Sequence, residues 1–194
     1  NNRMYSTDPA AGGHRGGCHT SPHLLRFNER ARIDGREADD SALIAQFEAV
    51  EAARGDVGLT YFEFTTAIAF LHFFLAGVDV AVLEVGLGGR LDATNVVHPE
   101  AAVISNISLE HRAYLGRRLT DITREKAGII KPGGHVVTAA RQKTVIQTLE
   151  AITGQRKARL YRIGRDIRVR ARGEGVFSYY GIEEHSRASG FSSG

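Results

Sequence analysis

Hydrophobic and polar positions alternate with three different periods along this chain. Leu43, Ile44, Phe47 and Val50 form one apolar stripe at helical spacing, and Asp39 and Asp40 precede it as candidate caps, which predicts a helix running to about Arg54. Phe62 to Ala76 is apolar nearly all round, which predicts a helix buried between other elements and ended by Gly77. Three short apolar runs, Val78–Val85, Ala101–Ile107 and His135–Ala139, read as buried strands. Helical segments near Leu119–Gly128 and Arg141–Thr153 fall between or after them. Strands separated by helices predict an α/β fold with a mostly parallel sheet, its β-α units joined in one sheet and flanked by helices. Phe27–Ile33 reads as a further strand followed by an Asp34-Gly35 turn, and Val176–Tyr180 as a last one. Residues 1–17 show no clear period and read as a frayed start, and the tail 183–194 reads as disordered or artificial.

At 194 residues, 42% hydrophobic and 24% charged, the chain suits one globular domain. Cys18 is the sole cysteine, so no internal disulfide framework exists, and a reducing, cytoplasmic setting is expected. Its plain reading is a small residue near a strand rather than a nucleophile. No basic segment followed by an apolar one opens the sequence, and Phe62–Ala76 is interrupted by Glu63 and His72, so neither a secretory signal nor a membrane span is expected. The net charge of +3 is uneven: residues 155–172 carry +7 and the rest −4. Eight basic residues between Arg156 and Arg172 are a conceivable nucleic-acid surface, but Leu160, Ile163, Ile167 and Val169 interleave with them. Solvated faces of terminal strands explain that pattern better.

The densest chemistry lies at Glu84-Val85-Gly86-Leu87-Gly88-Gly89-Arg90-Leu91-Asp92-Ala93-Thr94-Asn95. A glycine-rich turn at the carboxyl end of a strand is where open α/β sheets bind ligands. Its glycines do not match the dinucleotide fingerprint, and by pattern alone an ordinary tight turn fits equally well. Arg90, Asp92 and Asn95 are either substrate contacts or turn-stabilising residues. Thr60-Tyr61-Phe62-Glu63 sets an aromatic pair beside a carboxylate, which suits a flat heterocycle. It also reads as a helix start with Thr60 and Glu63 as a capping box.

The wording of residues 84–95 closely resembles the signature of folylpolyglutamate synthase/dihydrofolate synthase, a branch of the Mur ligase family. Thr20-Ser21-Pro22-His23-Leu24 with Arg26-Phe27-Asn28-Glu29-Arg30, Leu59-Thr60-Tyr61-Phe62-Glu63-Phe64, and Arg124-Glu125-Lys126-Ala127-Gly128-Ile129-Ile130-Lys131-Pro132-Gly133 resemble three more segments of that branch, in the same order. The resemblance covers most of the chain and fades after about Ile163.

It implies a Mur-ligase-like central ATPase domain over residues 1–182 and an acid–amino-acid ligase that joins L-glutamate to dihydropteroate or folates with ATP and Mg²⁺. Ser21, Glu84 and His111 are the implied magnesium ligands, hard oxygen donors suiting that ion. Glu84, His111 and Lys126 are the implied catalytic groups, Lys126 as a lysine able to carry a carbamate. Without the resemblance, His111 reads as a surface or packing residue, and Lys126 as a helix C-terminal lysine meeting the macrodipole. Thr60, Tyr61, Phe62 and Glu63 are the implied pteridine contacts, joined as candidates by Arg90, Asp92 and Asn95. Ser21, Glu84, His111 and Lys126 are expected at one sheet edge. The chain departs from the family at Glu110, where an aspartate is usual. No G-x-x-x-x-G-K-[ST] loop occurs in the sequence. The resemblance would place a related glycine-rich loop just upstream of Asn1, so the chain is expected to be an internal fragment, inactive in isolation, of an enzyme that is a monomer when intact. The rivals are a non-catalytic magnesium- or pterin-binding fragment and, less favoured, a nucleic-acid-binding domain.

Overall fold

The computed structural model describes residues 13–173, 176–181 and 185–189, with side chains over 13–170 and 178–181. The residues group into two compact units, one of residues up to 87 together with 92–96, the other of 88–91 and 97 onward. The expectation for the frayed start lies outside the described residues up to position 12.

In the first unit, β1 (Gly16–His19) pairs antiparallel with β2 (Ala31–Ile33) and parallel with β4 (Val80–Leu83), and β2 continues to β3 (Arg36–Glu37). Cys18 lies opposite both Arg32 and Val82. The β2–β3 hairpin turns at Asp34 and Gly35, both at positive φ (50° and 76°), the geometry that matches strand twist in a two-residue turn. Helix α1 (Asp40–Arg54) packs on α2 (Tyr61–Leu75), joining Leu43 and Ile68 in one cluster, while Ala69 and Phe73 pack with Ala31 in another.

Three expectations are corrected here. Phe27–Arg30 is a 3-10 turn rather than strand, because the buried Glu29 carboxylate gathers the amides of Leu24, Leu25 and Arg26 (2.8–2.9 Å) and winds the chain locally. Asp39 occupies the α1 N-cap without a side-chain bond, and Asp40 instead accepts from Arg26 and Asn28. Helix α2 buries one face, with Thr65, Ile68, Ala69 and Phe73, but leaves Phe74 and Leu75 at 80% and 65% exposure, since only that face meets β1, β2 and α1. Gly77 does end it, at φ 64°.

In the second unit, β5 (Ala101–Ile104), β6 (His135–Thr138) and β7 (Arg159–Arg162) form a parallel sheet, with α3 (Arg112–Leu115), α4 (Leu119–Lys126) and α5 (Lys143–Gln155) between them. Ile104, Ile107, Ile122, Val136, Val145 and Leu149 make its core, each at most 4% exposed. The parallel β-α pattern is as expected, but hydrogen bonding divides the described strands into three sheets rather than one. The reason for the first division is that β4 takes β1 as its partner. The third sheet is antiparallel, β8 (Arg168–Gly173), β9 (Val176–Tyr180) and β10 (His185–Ser189). Within the tail assigned to 183–194, His185–Ser189 is thus a paired strand, and the rest lies outside the described residues. The exposed arginines of β7 and β8 follow the strand-face reading; Arg156 instead donates to the carbonyls of Ala127, Gly128 and Ile130. No helix among the described residues is long and apolar enough to cross a membrane.

Candidate functional site

The first unit delivers Glu84 directly off the end of β4. Its backbone N–H donates to His19 O (2.9 Å), continuing the β1–β4 ladder, and its carboxylate accepts from Ser21 N at 2.8 Å. Two of the expected metal residues, Ser21 and Glu84, are therefore joined by a hydrogen bond. Glu84 spends one oxygen on that bond, which comes from the serine's backbone N–H rather than its hydroxyl. The described residues contain no cluster of three or more His, Cys, Asp or Glu suited to a metal. Magnesium is usually held by one or two carboxylates, its own waters and substrate phosphates, so this pair fits that ion as a partial ligand set.

Beyond Glu84 the chain passes under an aromatic ring. A Cβ on Gly86 would stand 2.6 Å from Phe62 Cζ, so only glycine admits the ring at this spot. Phe62 also meets His19, with ring centroids 6.1 Å apart. His19 is fully buried; its Nδ1–H donates to Arg30 O (2.8 Å), and Nε2 has no partner. Burial lowers its pKa, which keeps the imidazole neutral. Cys18 next to it has its thiol pushed up by burial, against the activation a nucleophile needs.

Asp92 is engaged within the glycine-rich turn. Oδ2 accepts from Gly86 N and Leu87 N, both at 3.0 Å, and Oδ1 from Thr94 N (2.9 Å) and Thr94 Oγ1 (2.6 Å). Four donors account for the ordinary capacity of a carboxylate, so the geometry makes Asp92 the internal anchor of residues 86–94. Asn95 donates its backbone N–H to Asp92 O (2.9 Å), in the same turn. Thr60 and Glu63 form the expected capping box: Glu63 N donates to Thr60 Oγ1 (3.2 Å) and Thr60 N to Glu63 Oε2 (2.7 Å). The Thr60 hydroxyl, then its amide, hold the Glu63 carboxyl below its ordinary range. Tyr61 is 60% exposed at the start of α2.

In the second unit, Arg90 Nε reaches both oxygens of Glu125 (3.1 and 3.2 Å) and its N–H donates to Glu125 O (3.0 Å). A Cβ on Gly128 would overlap the Cα and Cβ of Arg90 and lie 2.6 Å from its nitrogen. Residues 88–91 are thereby locked on the end of α4. Lys126 is the last residue of that helix, its Nζ 3.3 Å from Glu110 Oε1. His111 begins α3 in the left-handed region (φ 50°, ψ 36°), exposed, its carbonyl accepting from Tyr114 and Leu115. It lies farther past the strand than expected, because β5 ends at Ile104.

Residues 41–186 match the family model of the Mur ligase middle domain. The chain belongs to the Mur ligase family. Within it, a dihydrofolate synthase/folylpolyglutamate synthase of Escherichia coli (strain K12) is 50% identical over 121 residues, which is 62% of this chain and 29% of that protein. Among solved structures, E. coli FolC in complex with DHPP and ADP matches with a TM-score of 0.85 and 36% identity over 93% of this chain and 43% of that one. A bifunctional folylpolyglutamate synthase/dihydrofolate synthase from Yersinia pestis, complexed with AMPPNP and Mn ion, matches with a TM-score of 0.82 and 39% identity, over 92% of this chain and 42% of that one. The chain spans less than half the length of each of these relatives.

Set in this Mur ligase domain, several organising residues carry no mark that sequence reading used. Arg30 sits in a resembling segment and His19 just before it, neither with a separable pattern. Glu29 had one available signal, an acid three residues after an extended Arg26, the spacing of a capping box.

Proposed function

We propose that this domain belongs to an ATP-dependent ligase that joins L-glutamate to dihydropteroate or to a folate, with residues 1–182 as its Mur-ligase-like part. Such a reaction transfers the γ-phosphoryl group of ATP to a substrate carboxylate, releasing ADP. The glutamate amine then attacks the acyl phosphate, and inorganic phosphate leaves as the amide forms. The catalytic demand is mainly electrostatic, since phosphate charge must be neutralised while the reactants are aligned. Magnesium supplies that neutralisation when bound. Ser21, Glu84 and His111 are its proposed ligands; Lys126 is the proposed carbamate-bearing residue. Tyr61, Phe62, Thr60 and Glu63 offer the flat, partly polar surface a pteridine requires, and Arg90, Asp92 and Asn95 are further candidate substrate contacts.

The observation that carries the reading is the Glu84–Ser21 hydrogen bond at the end of β4, beside a glycine that seats Phe62. It brings the two proposed magnesium ligands together near an aromatic ring at one strand end, in a chain whose relatives are named for this reaction and were solved with DHPP, ADP or AMPPNP and Mn. Lys126 is the least supported member. A carbamate would replace its ammonium with an anion and turn the Glu110 contact from attraction to repulsion. The test is ADP release with dihydropteroate or tetrahydrofolate, L-glutamate, Mg²⁺ and bicarbonate, on this chain alone and on one extended at both ends to the length of its relatives. Substrate-dependent turnover in the extended protein, lost in Glu84→Ala, is expected; the 194-residue chain is expected to bind without turnover. Full turnover in the Glu84→Ala variant refutes the assignment.

A further inference from the structure

Several arginines of the basic stretch 155–172 are committed within the fold. Arg156 donates to main-chain carbonyls, Arg162 lies 3.8 Å from Glu150, and Arg165 pairs with Asp166. Arg168 and Arg170 differ: neither lies within 4.0 Å of a carboxylate among the described residues. They stand two residues apart on β8, so the alternation of a strand puts both side chains on one face. Across the ladder they lie opposite Tyr180 and Ser178, and the Arg170 guanidinium sits over the Tyr180 ring, 5.8 Å from its centroid. With Arg165, Asp166 and Gly181 these two arginines and Tyr180 line a cavity of about 270 Å³.

The turn before β8 fixes one wall. Asp166 accepts from Arg162 N (2.8 Å) and from Arg165 Nε and Nη2 (2.9–3.1 Å), so the one acid of the lining is neutralised in place. Arg165 O accepts from Arg168 Nε at 3.3 Å, which orients that guanidinium and leaves its terminal nitrogens without a partner among the described residues. Three arginines and one aspartate give the lining a formal charge of +2. Like charges on one strand face repel, and an anion between them turns that repulsion into attraction. A single carboxylate would balance half of that charge, whereas a phosphate monoester carries about −1.5 to −2 at pH 7 and offers three acceptor oxygens to guanidinium forks. Pockets for drug-sized ligands run from roughly 300 to 1,000 Å³, so this smaller cavity suits a compact head group. A nucleic-acid strand would instead need a basic groove that tracks successive phosphates.

We propose that Arg168 and Arg170, set between Tyr180 and the turn at Arg165 and Asp166, form a binding site for a dianionic phosphoryl group, carried by inorganic phosphate or by a phosphate monoester. The Arg165 carbonyl and the Tyr180 ring restrain the two guanidinium groups before the anion arrives, which lowers the cost of ordering them. The inference is independent of the proposed ligase, since none of these residues is assigned to that reaction, its metal or its substrates.

The test is titration of the full chain, followed by backbone amide NMR shifts, with inorganic phosphate, methyl phosphate, dimethyl phosphate and a single-stranded oligothymidine. Inorganic phosphate and methyl phosphate are expected to shift the amides of Arg168, Arg170 and Tyr180, and the tighter of the two tells which source of the dianion the site prefers. Dimethyl phosphate, with one charge, should bind at least about 10-fold more weakly. Arg168→Gln and Arg170→Gln should each weaken the dianion about 10-fold, the lower range for a charge-assisted bond at an exposed position. Both positions are exposed, so the variants should fold, and each serves as the test if the other does not. Arg168→Lys should recover part of the loss, since a point charge lacks the fork. Arg159→Gln, on β7 and outside the lining, should leave binding within about 2-fold. Equal binding of monoester and diester, shifts that avoid residues 168–170 and 178–181, or an equal loss in Arg159→Gln overturns the inference. Oligothymidine binding far tighter than methyl phosphate and weakened alike by Arg159→Gln and Arg168→Gln would make the stretch a nucleic-acid surface, and would overturn it too.

Discussion

Asp92→Asn is the sharpest probe of how the glycine-rich turn holds its shape. The wild-type carboxylate accepts four hydrogen bonds, two from the Gly86 and Leu87 amides and two from Thr94. An asparagine keeps one acceptor oxygen and presents an NH₂ group where the other stood. Thr94 is 3% exposed, so the oxygen will keep that side, where an orphaned donor cannot find water. The NH₂ then faces the Gly86 and Leu87 amides, donor against donor. In a buried setting two such bonds to a charged group would be worth about 1.5–3 kcal/mol each. Here both residues are exposed and water replaces much of the loss, so the expected cost is about 1–2 kcal/mol in all. Asp92→Ala also strands the Thr94 amide and should cost about 2–4 kcal/mol. Urea unfolding should show both as lower midpoints with an unchanged slope. Amide exchange should show lost protection at Gly86 and Leu87 in the asparagine variant, with Thr94 still protected. If Asp92→Asn unfolds within about 0.5 kcal/mol of wild type and both amides stay protected, the carboxylate does not organise the turn.

Gly128→Ala should be more damaging than an ordinary glycine replacement, by about 2–3 kcal/mol or more in thermal or urea unfolding, because the new methyl meets Arg90 backbone that no rotamer change can clear; a loss no larger than Gly154→Ala, where space is open, would refute it. Thr60→Ala removes a capping box and should cost about 1 kcal/mol, read as a lower urea midpoint, and Thr60→Ser should restore most of it. Glu29 is held down to about 2 from an ordinary 4.5 by the amides of Leu24, Arg26 and Leu25. A carboxyl with a depressed native pKa contributes its stability above the unfolded value and loses it as pH falls from about 4.5 to about 2. Across that window the melting temperature of wild type should therefore fall more steeply than that of Glu29→Gln, and parallel curves would show that the three amide contacts do not matter.

How much of this was legible depended on whether the cause was periodic or local. Apolar runs placed β4, β5, β6 and both long helices of the first unit to within a few residues, because burial on one or two faces leaves a period in the sequence. The strand expected at Phe27–Ile33 failed in its first half for the opposite reason. Glu29 bends the chain through three bonds to residues just behind it, and a helix-like turn of four residues leaves no period. Strand partners were not legible either: nothing in Val78–Val85 announces that it pairs with Gly16–His19, a segment with few apolar side chains. At the site, Glu84 and Ser21 were nominated by resemblance and do meet.

The same reasoning separates Lys126 from Arg90, neighbours of one helix end with opposite standing. Arg90 meets Glu125 through backbone and side chain together, and Gly128 leaves no space for it to move, so its charge serves the docking of residues 88–91. Lys126 ends α4, where a positive charge is favoured by the helix dipole, and one exposed carboxylate, Glu110, suffices to hold it. Among the described residues no other acid lies within 4.0 Å of its ammonium. A lysine held only by a surface carboxylate gives up little when that contact breaks. The Glu110 pair is therefore a weak obstacle to any change of charge at Lys126, whereas the Arg90 contacts are part of the fold.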